Sequence, residues 1–491
     1  MSNECLNSGE CGQYCQVLST LTEEKSDSAC PWPERLSAEY DFSKSAQPEL
    51  ARRTGNHLLQ ILAKGDRIRA LLETPGTEQA VAYQANRTIF DAQLGLWQSY
   101  ASAANANRLI TDVEVDYYTD QLQQSVAEAQ DSARKAGVSP ENLTYAQAIH
   151  DRETLEDHGL LFDEGMLQTV TQLCANAASG RSTLLVGDKG IAKTQAAKFT
   201  SGLFAPDGKP KFISGDGSMM KDEFIGKMTL TEKNGATVTN FQPGILTECM
   251  KRGIPLVMDE INLIDPAIAM RLQDILLRKP GDTVTIQEDG GEAITIKRGF
   301  CVLATANEAS SRYQSRAALD PAFRDRFNIL PIEYPDSETT MLQTNERPTA
   351  LARLSYAFAV SRSGIANSRI APEDALWLAS ISHASQQLYS KPAKDVHAGR
   401  LGSPVAGVVD DTEPRMTDCI TPRKMVDILQ TVGGGLNPYD VASGVKGLAM
   451  DTIAAMQHSE DRRTMFEVIR LMHDGSTGDF NEAEVRKRLK V

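Results

Sequence analysis

The stretch STLLVGDKGIAKTQAAKFT, Ser182–Thr200, constrains this chain more than any other. An apolar run ends at Val186, a glycine-bearing loop follows, and KTQAAKFTSGLF continues with helical character. Strand, loop and helix in that order are what the pattern G-x-x-x-x-G-K-[ST] needs to cradle phosphate, because backbone N–H groups of the loop and the helix N-terminus face the anion. Gly187, Lys193 and Thr194 fit the pattern, but Ala192 stands where its second glycine belongs. Gly187, Asp188, Lys189, Gly190, Ile191 and Ala192 are expected to wrap the phosphates of ATP. Lys193 is expected to reach the β- and γ-phosphates and the Thr194 hydroxyl to ligate Mg²⁺. If residue 192 is helical, its backbone tolerates a Cβ, and alanine then leaves the site intact.

Further apolar runs of strand length follow: KFISG (Lys211–Gly215), IPLVMDE (Ile254–Glu260), FCVLATANE (Phe300–Glu308) and FNILPIEY (Phe327–Tyr334). Apolar strands separated by helical patterns predict an α/β fold, a parallel sheet covered on both faces with its ligand at the carboxyl ends of the strands. A strand buried on both faces should not finish in two adjacent carboxylates without a reason. Asp259 can hold the hydrated Mg²⁺ beside Thr194, and Glu260 can orient and deprotonate an attacking water. A plain strand end meeting solvent is the blander reading. Asn307, ending the next strand, is a candidate contact for the γ-phosphate or the water, although asparagine at a strand end is more often a turn former. In LDPAFRDRF (Leu319–Phe327), Arg324 and Arg326 are candidates for an arginine that enters a neighbouring subunit's site. On spacing alone, a surface arginine paired with Asp325 or Asp320 is the stronger reading.

The rest of the 491-residue chain is helical in pattern. Residues 1–47 are polar and acidic and are expected to form a mobile tail. Residues 48–160 read as a helical N-terminal domain. Leu58, Leu62, Ile68 and Leu72 share one helical face, a second helix starts near Glu78, and a third carries Val115, Tyr118, Leu122 and Val126. Residues 161–335 form the α/β core. Residues 336–491 form a helical C-terminal part interrupted by a Gly- and Pro-rich loop at about 390–419.

Net charge is −14, a poor match for a protein that grips nucleic acid over a large area, although local basic surfaces remain possible. The N-terminal Cys5, Cys11, Cys15 and Cys30 lack a C-x-x-C spacing and a nearby histidine. They read as incidental thiols, and the four scattered cysteines as ordinary buried ones. With neither a readable export signal nor an apolar run of about 18 residues, a cytoplasmic location without a membrane span is expected.

Taken together these motifs resemble an AAA+ ATPase of the MoxR-like and dynein-related group, with a core similar to CbbQ, NorQ and McrB. GIAKT resembles that group's phosphate loop and accounts for Ala192. Phe241–Leu277 resembles its stretch through the metal-binding carboxylates and DEIN, and Ser311–Pro335 its segment after the sensor strand. The opening GDK departs from the commoner Gly-Pro-Pro. The resemblance implies a P-loop core with a helical C-terminal lid, and a hexameric ring of identical subunits with ATP held between them. Lys193, Thr194, Asp259, Glu260 and Asn307 then take the roles given above, with Arg326 ahead of Arg324 as the finger supplied in trans. CITPRKMVDIL (Cys419–Leu429) resembles the lid motif whose arginine reads the γ-phosphate in cis, which points to Arg423. TVTIQEDGGEAITIK (Thr283–Lys297) alternates about an Asp-Gly-Gly turn and reads as a hairpin. It matches the hairpin that such proteins insert before the sensor strand, and Gly215–Leu230 matches their second-helix insertion. The implied function is chaperone-like remodelling of a partner complex, often with a von Willebrand factor A domain protein. A nucleic-acid motor built on the same core and a nucleotide-gated scaffold with little turnover are the alternatives.

Overall fold

The computed structural model describes residues 76–138, 140–215, 221–233, 236–307, 319–334, 350–362, 364, 367, 369, 370, 372–390, 416–434, 444–473 and 482–491. The expectations for the N-terminal tail, its four cysteines, the helical face Leu58–Leu72 and most of the 390–419 loop lie outside these residues.

Five short strands form one parallel sheet: β1 (Thr183–Val186), β2 (Lys211–Ser214), β5 (Leu256–Asp259), β8 (Val302–Ala306) and β9 (Asn328–Pro331), in the order β2-β5-β8-β1-β9. They lie where the five apolar runs predict. Every residue of β1 and β8 is buried, as it must be in a sheet covered on both sides. Alternation divides the side chains cleanly. Leu184, Val186, Leu256, Met258, Val302 and Ala304 face one layer, and Leu185, Val257 and Leu303 face the other.

The first layer consists of α7 (Ile245–Arg252), α8 (Pro266–Leu276) and the hairpin of β6 (Thr283–Ile286) and β7 (Glu292–Thr295). This hairpin forms where TVTIQEDGGEAITIK predicts it. The insert after β2 is longer than the resemblance suggests. Beyond the short α6 (Lys221–Phe224), β3 (Gly226–Lys233) pairs antiparallel with β4 (Ala236–Pro243). Phe241, Gln242 and Pro243 belong to this ribbon. Met228, Leu230 and Val238 are exposed on this ribbon, Leu230 at 73%.

The second layer contains α4 (Glu164–Ala178), α5 (Lys193–Phe204) and, from the N-terminal region, α1 (Glu78–Asn105). Leu96, Trp97 and Tyr100 of α1 share one core with Leu185, Ala196, Phe204 and Cys301. Trp97 is fully buried, and its indole N–H is satisfied at 2.8 Å by Thr171 Oγ1 of α4. α2 (Asp112–Lys135) packs on α1 through Val115 and Tyr118, and a capping box at Thr111 and Glu114 fixes its start.

The C-terminal helices form a separate core. They are α10 (Ala350–Ala359), α11 (Pro372–Ser390), α12 (Pro422–Gly434), α13 (Gly444–Ala454), α14 (Ser459–His473) and α15 (Glu482–Leu489), the short α9 (Pro321–Arg324) having come earlier. α3 (Pro140–His158) joins this core to the sheet unit, because its Asp151, almost fully buried, accepts from both Arg353 Nε and Nη2 of α10. Arg353 Nη2 also donates to Phe162 O on the segment leading into α4. Cys174, Cys249, Cys301 and Cys419 are free and buried, and burial pushes their thiols up. Among the described residues no helix is long and apolar enough to cross a membrane.

Because Trp97 fills the sheet's second face, Trp97→Ala should destabilise the α/β core itself. The expected loss is about 3–5 kcal/mol, read as a lowered midpoint of denaturant unfolding followed by sheet-core probes. An unchanged midpoint would show that α1 is dispensable to that core.

Candidate nucleotide site

The parallel register brings the carboxyl ends of β5, β8 and β1 side by side. From β1 the chain turns at Gly187, where a Cβ would lie 2.0 Å from Ile332 O, so no side chain fits. Gly190 has φ 78°, and a Cβ there would meet Thr421 Cβ at 2.7 Å. Ala192 is not helical: it is left-handed, at φ 63° and ψ 20°. The expectation that a helical backbone excuses the missing glycine is therefore wrong. The alanine sits in a conformation that costs an L-residue roughly 1–2 kcal/mol, and the surrounding loop holds it there.

Lys193 opens α5 and is only 7% exposed. Its ammonium donates to Gly187 O at 2.8 Å, Asp188 O at 2.5 Å and Asn307 Oδ1 at 3.1 Å. Thr194 Oγ1 donates to Asp259 Oδ1 at 2.6 Å. Asn307 Nδ2 donates to Glu260 Oε1 at 3.3 Å. Glu260 is also left-handed, at φ 51° and ψ 49°, which turns the chain sharply away after β5. Lys193, Thr194, Asp259, Glu260 and Asn307 thus form one connected cluster although they come from three separate elements. Thr194 and Asp259 suit a magnesium ion: the threonine's only proton goes to the carboxylate, leaving its lone pairs for a metal.

The three arginine candidates lie outside this cluster. Arg324 is exposed at the end of α9. Arg326 is half-buried, and its Nη1 atom has no hydrogen-bond partner among the described residues. Arg423 is exposed on the first turn of α12, two residues beyond the Thr421 that rests on Gly190.

Several residues of the site's surroundings escaped the sequence reading. Thr305, two positions before Asn307 on β8, donates to Asp259 Oδ1 at 2.5 Å. Its signal is a lone hydroxyl in an otherwise apolar strand. The departure GDK also acquires a reason: Lys189 Nζ pairs with Asp418 Oδ1 at 2.8 Å, and Asp418 Oδ2 takes Lys424 Nζ at 2.9 Å. Tyr334 OH donates to Lys189 O at 3.0 Å from a half-buried position, and desolvation pushes its phenol well up. Residues 418–424 and Tyr334 thereby hold the loop after β1 from the side of the C-terminal helices. Partial burial opposes ionisation of Asp418, but hydrogen bonds from Lys189 and Lys424 outweigh it and hold the carboxyl below its usual range.

Residues 182–327 match the model of the AAA domain of the dynein-related subfamily. This stretch is an AAA+ domain. The chain is 30% identical over 184 residues to the uncharacterized protein YojN of Bacillus subtilis, covering 37% of this chain and 55% of YojN. It is 32% identical over 119 residues to midasin of Dictyostelium discoideum, covering 24% of this chain and 2% of midasin. The chain therefore spans about half the length of YojN and a small part of midasin. Among solved structures, the Saccharomyces cerevisiae Hsp104–ADP complex aligns at 18% identity with a TM-score of 0.25, covering 44% of this chain and 40% of that one.

Two outcomes follow from this geometry. Ala192→Gly should keep the loop's shape and relieve its left-handed strain. A net gain of about 1 kcal/mol is expected after the glycine's greater unfolded-state freedom is set against it, measured by denaturant unfolding. Asp418 has a lowered folded-state pKa, so its contribution is present above the unfolded value near 4 and is lost as pH falls through the folded one. Asp418→Asn should lack this acid-side loss, seen as a shallower fall of melting temperature below about pH 4.

Proposed function

We propose that this chain is an ATP-hydrolysing motor of the MoxR-like group that remodels or activates a partner protein complex. The observation that carries the reading is the convergence of Lys193, Thr194, Asp259, Glu260 and Asn307 at the ends of β1, β5 and β8. A phosphate loop alone would support binding only. A carboxylate held at the end of β5 by the sensor strand's asparagine adds the means to turn a water on a γ-phosphate.

In this reading Gly187, Asp188, Lys189, Gly190, Ile191 and Ala192 enclose the phosphates with backbone N–H groups, and Lys193 carries the charge that meets them. Glu260 takes a proton from the attacking water as its oxygen bonds to phosphorus and the bond to the ADP oxygen breaks. Asn307 holds the carboxylate that does so. Magnesium held by Thr194 and Asp259 would supply charge neutralisation at the phosphate oxygens. Arg326, with Arg324 second, would reach a neighbouring subunit's γ-phosphate in a hexameric ring, and Arg423 would read it from the lid of the same chain. The ribbons β3–β4 and β6–β7 are the inserts through which client strain would be applied. A von Willebrand factor A domain protein is the proposed kind of partner, by resemblance to relatives.

Glu260→Gln should lower turnover by about 10²–10⁴-fold while ATP binding persists. Lys193→Ala should lose ATP binding itself. Steady-state phosphate release and equilibrium binding of radiolabelled ATP separate the two. Equal retention of ATP by the wild-type chain and Lys193→Ala would sink the reading.

A further inference from the structure

Thr305 occupies the centre of the sheet and is only 2% exposed. Its neighbours along β8, Val302, Leu303, Ala304 and Ala306, are apolar and buried. A hydroxyl in such surroundings is costly unless it is bonded, and both bonds of this one go to the candidate site. It donates to Asp259 Oδ1 at 2.5 Å and accepts the Glu260 backbone N–H at 3.1 Å. Thr194 Oγ1 donates to the same Asp259 oxygen at 2.6 Å.

A hydroxyl carries one proton. Two hydroxyl protons therefore converge on Oδ1, which fixes the rotation of the carboxylate. Among the described residues no hydrogen bond reaches Oδ2. The second bond acts on Glu260. Its left-handed backbone is one that L-residues avoid, and the N–H of that residue is anchored on Thr305 while its Oε1 accepts from Asn307 Nδ2. Asn307 directly follows the end of β8, two residues after Thr305. The end of β8 and the residue after it thus grip Glu260 at both its backbone and its carboxylate, and Thr305 grips Asp259 as well.

We propose that Thr305 is a positioning residue that sets the orientation of the metal-binding carboxylate and of the water-activating one together, without touching substrate. This rests on the hydrolytic reading of the site. It predicts that removing the hydroxyl while keeping the side chain's shape impairs metal use and turnover before it impairs nucleotide binding.

The test uses the full chain and two readouts. In a Glu260→Gln background, fluorescent N-methylanthraniloyl-ATP is titrated with excess EDTA and then across a magnesium series. Thr305→Val should raise the half-saturating magnesium concentration about 10-fold or more, with the EDTA affinity changed less than about 3-fold. In the background with Glu260 intact, Thr305→Val should lower kcat by about 10–100-fold with a smaller change in KM. Thr305→Ser, which keeps the hydroxyl, should restore both.

Unchanged magnesium dependence and kcat in folded Thr305→Val overturn the assignment alone, leaving the hydrolytic reading in place. A parent chain that neither binds the analogue nor releases phosphate overturns both. Should Thr305→Val fail to fold, judged by circular dichroism and melting, Thr305→Cys carries the same expectations. If neither replacement folds, a stability role suffices and the assignment is overturned.

Discussion

Everything at the candidate site depends on the carboxylate of Asp259 and the two hydroxyls that hold it. Thr194 comes from the helix after the phosphate loop, Thr305 from the adjacent strand, and both donate to one oxygen. The bond to Thr194 ties α5 to β5, and the bond to Thr305 ties β8 to β5. Strands in a sheet lie about 4.8 Å apart, so parallel register alone brings the three chain segments close. It does not align their side chains. The hydroxyls do that, and charge-assisted bonds of this kind are roughly twice as strong as neutral ones.

The same economy of contacts explains the two non-glycine residues in left-handed conformations at the site. Ala192 and Glu260 sit at φ 63° and 51°. Each marks a place where the chain must turn abruptly to bring its next atoms to the phosphate side. At Ala192 the turn aims Lys193 back at the carbonyls of Gly187 and Asp188. At Glu260 it sends the chain away from the sheet while Asn307 keeps the carboxylate in place. Strain of this sort persists only when neighbours over-determine the geometry. Here the neighbours are identifiable: Gly187 packs against Ile332, Gly190 against Thr421, and the Glu260 N–H meets Thr305.

Much of this was legible in the sequence because it is local. Apolar runs of strand length, the GIAKT loop, the Asp259–Glu260 pair and the Asp-Gly-Gly hairpin are written in adjacent residues, and the strands and hairpin form where they were expected. What escaped depends on contacts distant in the chain. The handedness of Ala192 follows from the path of the loop, which Ile332 and Thr421 help to set. Thr305 looks like a strand residue until register places it against Asp259. The burial of Trp97 depends on α4 and α5, about 70 residues or more downstream. The β3–β4 ribbon did carry a local signal: Met228 and Leu230 alternate with polar residues ahead of Asn234–Gly235, a dipeptide suited to tight hairpin turns.

Two of the links between the C-terminal helices and the rest of the molecule differ greatly in strength. At one, Asp151 of α3 is 1% exposed and paired with Arg353 of α10, which also reaches Phe162 O. Removing one partner of a buried pair strands the other charge and costs about 3–5 kcal/mol. At the other, Lys189 of the phosphate loop meets Asp418, with both side chains partly in water. Pairs of that kind are worth about 1 kcal/mol or less. A rearrangement at the phosphate loop therefore breaks the second link far more readily than the first. The N-terminal helices supply the firm attachment, since α3 carries Asp151 and α1 fills the sheet's second face. They consequently belong to the frame against which the C-terminal helices are held. The weak link lies beside Gly190 and Thr421, where any change in the loop's path is felt first.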